Sequence, residues 1–538
     1  MARWTISRYA RNDILAVRPP VLLAPALPMP YHNEKPIILR EDSMATLRPD
    51  PSFYPSAKQA AQAPAEELAY LAILSPDASR PDAIGVVDVK PGSKSFGRVV
   101  GQFDMPNKGD ELHHFGWNAC SASLCPWAAH PHVERRYLVV PGINSSRIHI
   151  LDTKTNPRRP ELVKVIEPET LAKKTGYASP HTVHCGPDGI YLSALGAPNG
   201  DGPGGLFVLD HDSFEPKNAW ERDRGPQQLA YDFAWHLGHD TTITSEWGTP
   251  SMVRNGLVPE LLLGGKYGNS LHVWDLRKGT HQQRLPLGDQ YQMTLELRPA
   301  RDPRKAYGFV GVVISLEDLS ASIWMWYKDD GKSLPRAERG DGKDGKDGSG
   351  KGRERGRDSR SEWKVQKVIT IPAEPADPAD LPPLLQGFKA VPPLVSDINL
   401  SLDDKQLYVS CWGTGELRQY DVSDPFSPRL TATTQIGGIV RRTAHPAKPS
   451  QRLNGGPQMV ELSRDGRRVY LTNGLYSPWD VQFYPDGMKG WMVKLDTKPE
   501  GGMAPDSRFF LEMEPGMRCH QVRLQGGDAS SDSFCFSS

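Results

Sequence analysis

The chain has 538 residues with 64 basic and 64 acidic side chains, so its formal net charge is zero. That balance gives no reason to expect nucleic acid or an anionic membrane as a partner, and no uninterrupted apolar run reaches the roughly 20 residues of a membrane-spanning helix. With 50 glycines and 49 prolines, the composition suits a turn-rich, all-β protein longer than one ordinary domain.

Residues 1–59 read as an N-terminal extension. Its first stretch carries Arg3, Arg8, Arg11 and Arg18 against Asp13, a bias shared with mitochondrial transit peptides, although a plain extension is the preferred reading. Pro19, Pro20, Pro25, Pro28 and Pro30 interrupt the apolar stretch that follows, which argues against a secretory core. The six cysteines, at 120, 125, 185, 411, 519 and 535, have neither CxxC nor disulfide-framework spacing, so a reducing compartment, the cytoplasm, is expected.

From residue 60 to 538 the chain repeats. An apolar stretch runs into Asp at Gly85-Val86-Val87-Asp88, His149-Ile150-Leu151-Asp152, Phe207-Val208-Leu209-Asp210 and His272-Val273-Trp274-Asp275. It returns at Arg418-Gln419-Tyr420-Asp421 and Met492-Val493-Lys494-Leu495-Asp496, and Trp324-Met325-Trp326-Tyr327 is a seventh copy with Lys328 in the Asp position. Seven copies of strand-plus-turn at a period of roughly fifty to ninety residues predict a seven-bladed β-propeller. The Asp residues are read as turn formers that bond their own backbone. Residues 329–362, dominated by Gly, Lys, Asp, Arg and Ser, have almost nothing to bury and are expected to be a disordered loop inside the fifth blade.

Histidines recur at matching places. They stand in Glu111-Leu112-His113-His114, in His181-Thr182-Val183-His184-Cys185, in His236-Leu237-Gly238-His239 and in Cys519-His520. A second repeat precedes the Asp-Gly hairpin turn of each blade. Counting back seven from Asp188, Asp465 and Gly527 gives His181, Gln458 and His520, so His181 and His520 should be equivalent positions on innermost strands that converge at the channel axis. Imidazole is a common ligand, and convergence of separated histidines predicts a metal site. Strand alternation favours His181 over His184, and lets both His113 and His114 reach one ion only if the backbone turns there.

The chain resembles the selenium-binding protein family, which includes methanethiol oxidases. The resemblance rests on Asp110 to His114 with Gly116-Trp117-Asn118, the run 181–185, Tyr231-Asp232-Phe233, Ser245-Glu246-Trp247, Gly455-Gly456-Pro457-Gln458-Met459, Gln482-Phe483-Tyr484-Pro485, and His520 with Gly526-Gly527-Asp528. It covers about residues 66 to 532. It implies copper as cofactor, with ligands drawn from His113, His114, His181, His184, His239 and His520. It implies oxidation of methanethiol by O2 and water to formaldehyde, hydrogen sulfide and hydrogen peroxide, with a small thiol and O2 as partners and the oligomeric state left open. Glu111 and Glu246 are the acids considered for proton transfer, and Cys120 is the best-matched thiol. Gly97 stands where vertebrate members carry Cys, which argues against stable selenium binding. The competing reading is a selenium- or thiol-binding or protein-interaction propeller scaffold without catalysis. Cys185 and Cys519 are read as small buried hydrophobes.

Overall fold

The computed structural model describes residues 49–328 and 362–537. The residues before 49 and nearly all of the expected disordered loop lie outside that range. Seven four-stranded antiparallel sheets form the seven blades. The innermost strands are Gly116–Trp117 in blade 2, Ala178–Cys185 in blade 3, Phe233–His236 in blade 4 and Tyr291–Pro299 in blade 5. Val395–Leu400 and Val460–Leu462 serve blades 6 and 7. Blade 1 is closed by the end of the chain. Arg518–Leu524 pairs antiparallel with Leu68–Leu74, setting Tyr70 opposite Arg523 and Leu71 opposite Val522.

All seven apolar repeats fall on the third strand of their blade, or at its end. The Asp that ends the repeat makes the expected turn. The carboxylates of Asp88, Asp152, Asp210, Asp275 and Asp421 each accept the backbone N–H two residues on. In blade 5, Lys328 lies opposite Trp363, so the strands flanking the insertion are consecutive.

The core sits between blades, and strand alternation builds it. Leu68, Tyr70 and Ala72 pack on Trp117, Leu138 and Leu151 of blade 2. Their neighbours Ala69, Leu71 and Ile73 face the other way, onto Tyr470 and Met492 of blade 7. A strand buried on both faces loses the polar alternation of a surface strand, and Leu68–Leu74 is buried at every position. Each fully buried large aliphatic side chain contributes about 1.5–3 kcal/mol.

One boundary and one covalent link differ from expectation. Residues 49–59 belong to the propeller body. Phe53 packs with Ala119 and Val133, Ala57 and Ala60 pack with Leu462 and Leu495, and the Asp50 carboxylate accepts the Arg135 N–H at 3.0 Å. Cys125 and Cys535 form a disulfide with a Cα–Cα distance of 5.4 Å, which spacing could not signal across 410 residues.

Candidate metal centre

Four of the six candidate ligands come together. The rings of His113, His114, His181 and His520 are linked by centroid distances of 3.5 to 5.4 Å. Ligand atoms of His113, His114 and His181 all lie within 4.8 Å of one another, and His520 stacks on His113 at 3.5 Å. Two nitrogens bound to one ion at 2.0–2.1 Å stand roughly 3.3–3.5 Å apart, so a modest inward rotation of the rings closes the site.

A local backbone device aims these side chains. Glu111 and Ser179 both have φ of +52°, and each stands two residues before a ligand, His113 and His181. Left-handed geometry in non-glycine residues is costly and persists where the surroundings impose it. Residues 113–115 lie outside regular strand, which frees His113 and His114 from alternation so that both rings reach the cluster. Gly116 then lets its strand close on blade 3, since a Cβ there would sit 2.6 Å from the carbonyl oxygen of Val183.

The electrostatics suit a ligand set. Burial, reinforced by the neighbouring imidazoles, holds His113 and His114 well below the ordinary histidine range. Burial likewise brings His181 and His520 to about 3. All four are therefore neutral at pH 7. His520 Nδ1 donates to the Gly474 carbonyl at 2.7 Å, and His181 Nδ1 bonds the Thr182 hydroxyl at 3.0 Å. That fixes the His520 tautomer, with the Nε2 lone pair facing the cluster. Both nitrogens of His113 and the Nε2 atoms of His114, His181 and His520 are buried without a hydrogen-bond partner. Buried polar atoms normally have one, and a shared ion satisfies this set.

The other half of the ring is apolar. The seven-residue count that links His181 to Asp188 also links Leu295 to Asp302, Ser396 to Asp403 and Tyr231 to Gly238. Met293 and Leu394, two residues before Leu295 and Ser396, repeat the left-handed turn with φ of +67° and +49°. Tyr231, Leu295 and Ser396 line a cavity of about 30 Å³ together with Trp247, Trp412 and Tyr476. Tyr476 stacks on His113 at 4.5 Å and Tyr231 lies 4.2 Å from His181, so this cavity adjoins the imidazoles. Thus equivalent positions hold histidine on blades 1 and 3 and apolar or neutral side chains on blades 4 to 6.

Glu296 is the acid nearest the cluster, with Oε1 3.5 Å from His114 Nε2. Burial, together with Asp232 and Asp397, pushes its carboxyl well above the usual range, and the adjacent Arg298 offsets this only in part. Sequence reasoning missed it. The alternation Thr294-Leu295-Glu296 was legible, but nothing marked that Glu296 faces the axis.

The remaining candidates lie elsewhere. His184 packs on Phe233 and approaches Asp232 at 3.7 Å. Against a burial penalty, the nearby His184 imidazole and the Arg298 guanidinium hold Asp232 at about 2. His239 sits in a short 3-10 turn beside His236 and Trp363, removed from the cluster, because blade 4 ends its inner strand at His236. Glu246 bonds His272 at 3.0 Å instead of facing the imidazoles. Glu111 accepts the Ser477 N–H at 2.8 Å and the Asn144 amide at 2.5 Å, tying down the loop that carries Tyr476. Cys120 is buried with its thiol on the Cys185 carbonyl. That carbonyl lies four residues beyond His181, roughly 13 Å along the strand at ordinary rise. Cys120 is therefore no neighbour of the cluster.

Comparison with known proteins agrees with this architecture. The profile described as 56 kDa selenium binding protein (SBP56) matches residues 47–339 and 355–535. A human protein named methanethiol oxidase is 36% identical, covering 89% of this chain and 97% of its own. Selenium-binding protein 3 of Arabidopsis thaliana is 34% identical over 89% of this chain and 96% of its own. The crystal structure of a hypothetical selenium-binding protein from Sulfolobus tokodaii superimposes with a TM-score of 0.83 at 52% identity, covering 90% of this chain and all of that one.

Proposed function

The chain belongs to the 56 kDa selenium-binding protein family, and from that membership we propose that it is a copper-dependent methanethiol oxidase. In the reaction, methanethiol, dioxygen and water, one molecule of each, give one each of formaldehyde, hydrogen sulfide and hydrogen peroxide. The observation that carries this reading is the juxtaposition of four neutral, buried imidazoles with a small aromatic cavity. An all-imidazole set suits copper. When bound, copper supplies a Lewis acid for sulfur and a one-electron couple toward dioxygen.

The protein's own part is placement. His113, His114, His181 and His520 would hold the ion. A cavity of about 30 Å³ has room for a methyl group or a few water molecules, not for a long alkyl chain. Trp247, Leu295, Val313 and Trp412 take the methyl group, which leaves sulfur toward the imidazoles between Tyr231 and Tyr476. Burial raises both phenols, so they stay neutral. Glu296, its carboxyl pushed upward by burial beside His114, gives or receives the proton exchanged with substrate.

The test is hydrogen sulfide release from methanethiol by purified protein, with bound copper measured on the same sample. Activity that tracks copper supports the reading. A protein that binds no copper and releases no sulfide is a scaffold.

A further inference from the structure

A second group of metal-binding side chains lies at the rim of the propeller, outside the channel. His130 and His132 stand on the loop that follows the 3-10 turn Ser121–Leu124. His211 and Asp212 stand in the turn between strands Gly205–Leu209 and Pro216–Ala219 of blade 3. The two segments are far apart in sequence and meet face to face. Asp212 Oδ2 is 3.8 Å from His130 Nδ1, and its Oδ1 is 3.8 Å from His132 Nε2.

These distances are informative. They exceed a hydrogen bond, so each carboxylate oxygen faces an imidazole nitrogen across a gap. Ligand atoms of His130, His132 and Asp212 lie within 4.8 Å of one another, as in the channel cluster. Donors on one ion at 2.0–2.2 Å stand about 3.3 Å apart, so each carboxylate–imidazole gap must shorten by about half an ångström, and the two imidazole nitrogens, within 4.8 Å of each other, must move inward with it.

His211 is the independent observation. It is only 3% exposed, yet neither ring nitrogen has a hydrogen-bond partner. Its ring lies 4.9 Å from that of His130. A neutral imidazole carries one N–H, and leaving that donor buried and unpaired forfeits its hydrogen bond to water with nothing in return. Burial, then the neighbouring His130, brings His211 to about 4, so it is neutral and has a lone pair to give.

The frame around the group is already fixed. Cys125, at the start of the loop, is bonded to Cys535. The Ala129 N–H donates to the Pro187 carbonyl of blade 3, and the Arg277 guanidinium lies 4.1 Å over the Trp127 ring. Val133, just after His132, is packed against Phe53. Short anchored spans on both sides hold His130 and His132 against the blade 3 turn.

We propose that His130, His132, His211 and Asp212 form a second site, for a divalent ion of the zinc class, that pins this loop to blade 3. Three imidazoles and one carboxylate are a zinc-type donor set. Asp212 is largely exposed, so the site exchanges with solvent. It is independent of the channel chemistry and of any oxidase activity.

The test is zinc titration by calorimetry on the full, untagged, chelator-treated chain. The unmodified protein should take up two equivalents, one at each histidine cluster. The His132→Ala/Asp212→Asn variant should take up one, while keeping sulfide release when copper-loaded. A His113→Ala/His520→Ala variant should lose the channel equivalent and keep the rim one. Because His132 and Asp212 are exposed, metal-free melting of the rim variant should match that of the unmodified chain. Zinc should then raise the melting temperature of the channel variant and leave unchanged that of a variant lacking both clusters. If the rim variant binds as many equivalents as the unmodified protein, or if the channel variant binds none, the proposal is overturned. Failure of the oxidase reading would show instead as absent sulfide release with both zinc equivalents intact.

Discussion

Leu295→Ala opens the proposed methyl pocket, and the size of its effect follows from the structure. Leu295 is 5% exposed and lines a cavity of about 30 Å³ beside Tyr231 and Tyr476. Removing its three outer carbons makes room for two further methylenes of substrate. Each buried methylene is worth about 0.8 kcal/mol, so two give about 1.6 kcal/mol. At 1.36 kcal/mol per tenfold, the propanethiol-to-methanethiol ratio of kcat/KM should rise about 15-fold. The substitution costs about 2–5 kcal/mol of stability, so assays belong well below the variant's melting temperature. Sulfide release from both thiols is measured at matched copper content. A ratio unchanged from the unmodified protein, with copper retained, would refute the assignment of this cavity to the substrate.

Other outcomes follow from the same geometry. Glu296→Gln keeps the shape and removes the proton carrier, so kcat should fall on the order of 100-fold or more with copper content unchanged. In the metal-free protein, His181 and His520 at about 3 and the still-neutral His113 and His114 sit below the unfolded value of about 6.5. There the unfolded chain binds more protons, so stability rises with pH between about 3 and 6.5. Glu461 and Asp480, both pushed by burial to about 8, act oppositely, because the folded chain binds more protons from about 4.5 upward. His113→Gln/His520→Gln should therefore flatten the rise of melting temperature with pH between about 3 and 6.5. Deleting Gly331 to Arg360 should leave melting temperature and sulfide release intact, since Lys328 and Trp363 are already paired partners and the segment offers little to bury.

The blade count was legible because the apolar run of the third strand recurs in every blade and ends in an Asp in all but blade 5, with the turn as at Asp88, Asp152 and Asp275. The equivalence of His181 and His520 was legible because the count from the hairpin turn preserves register. What escaped were contacts across blades. Glu296 reaches His114 across the channel, and Tyr476 reaches His113 from a loop of blade 7, over separations no periodicity records. Cys125 and Cys535 are joined over a sequence separation of 410 residues. His239 and Glu246 were drawn into the site by motif, whereas the end of the blade 4 strand and the bond to His272 hold them out of it. The left-handed residues at Glu111 and Ser179 bear no glycine, so the sequence carried no sign of the turn that aims the ligands.

The most direct measurement of the central claim is copper K-edge X-ray absorption on the full chain loaded with one equivalent. The account predicts three or four imidazole nitrogens near 2.0 Å, no sulfur neighbour from the protein, and loss of this spectrum in the His113→Ala/His520→Ala variant. A first shell of oxygen or sulfur, or a spectrum unchanged in that variant, would contradict it.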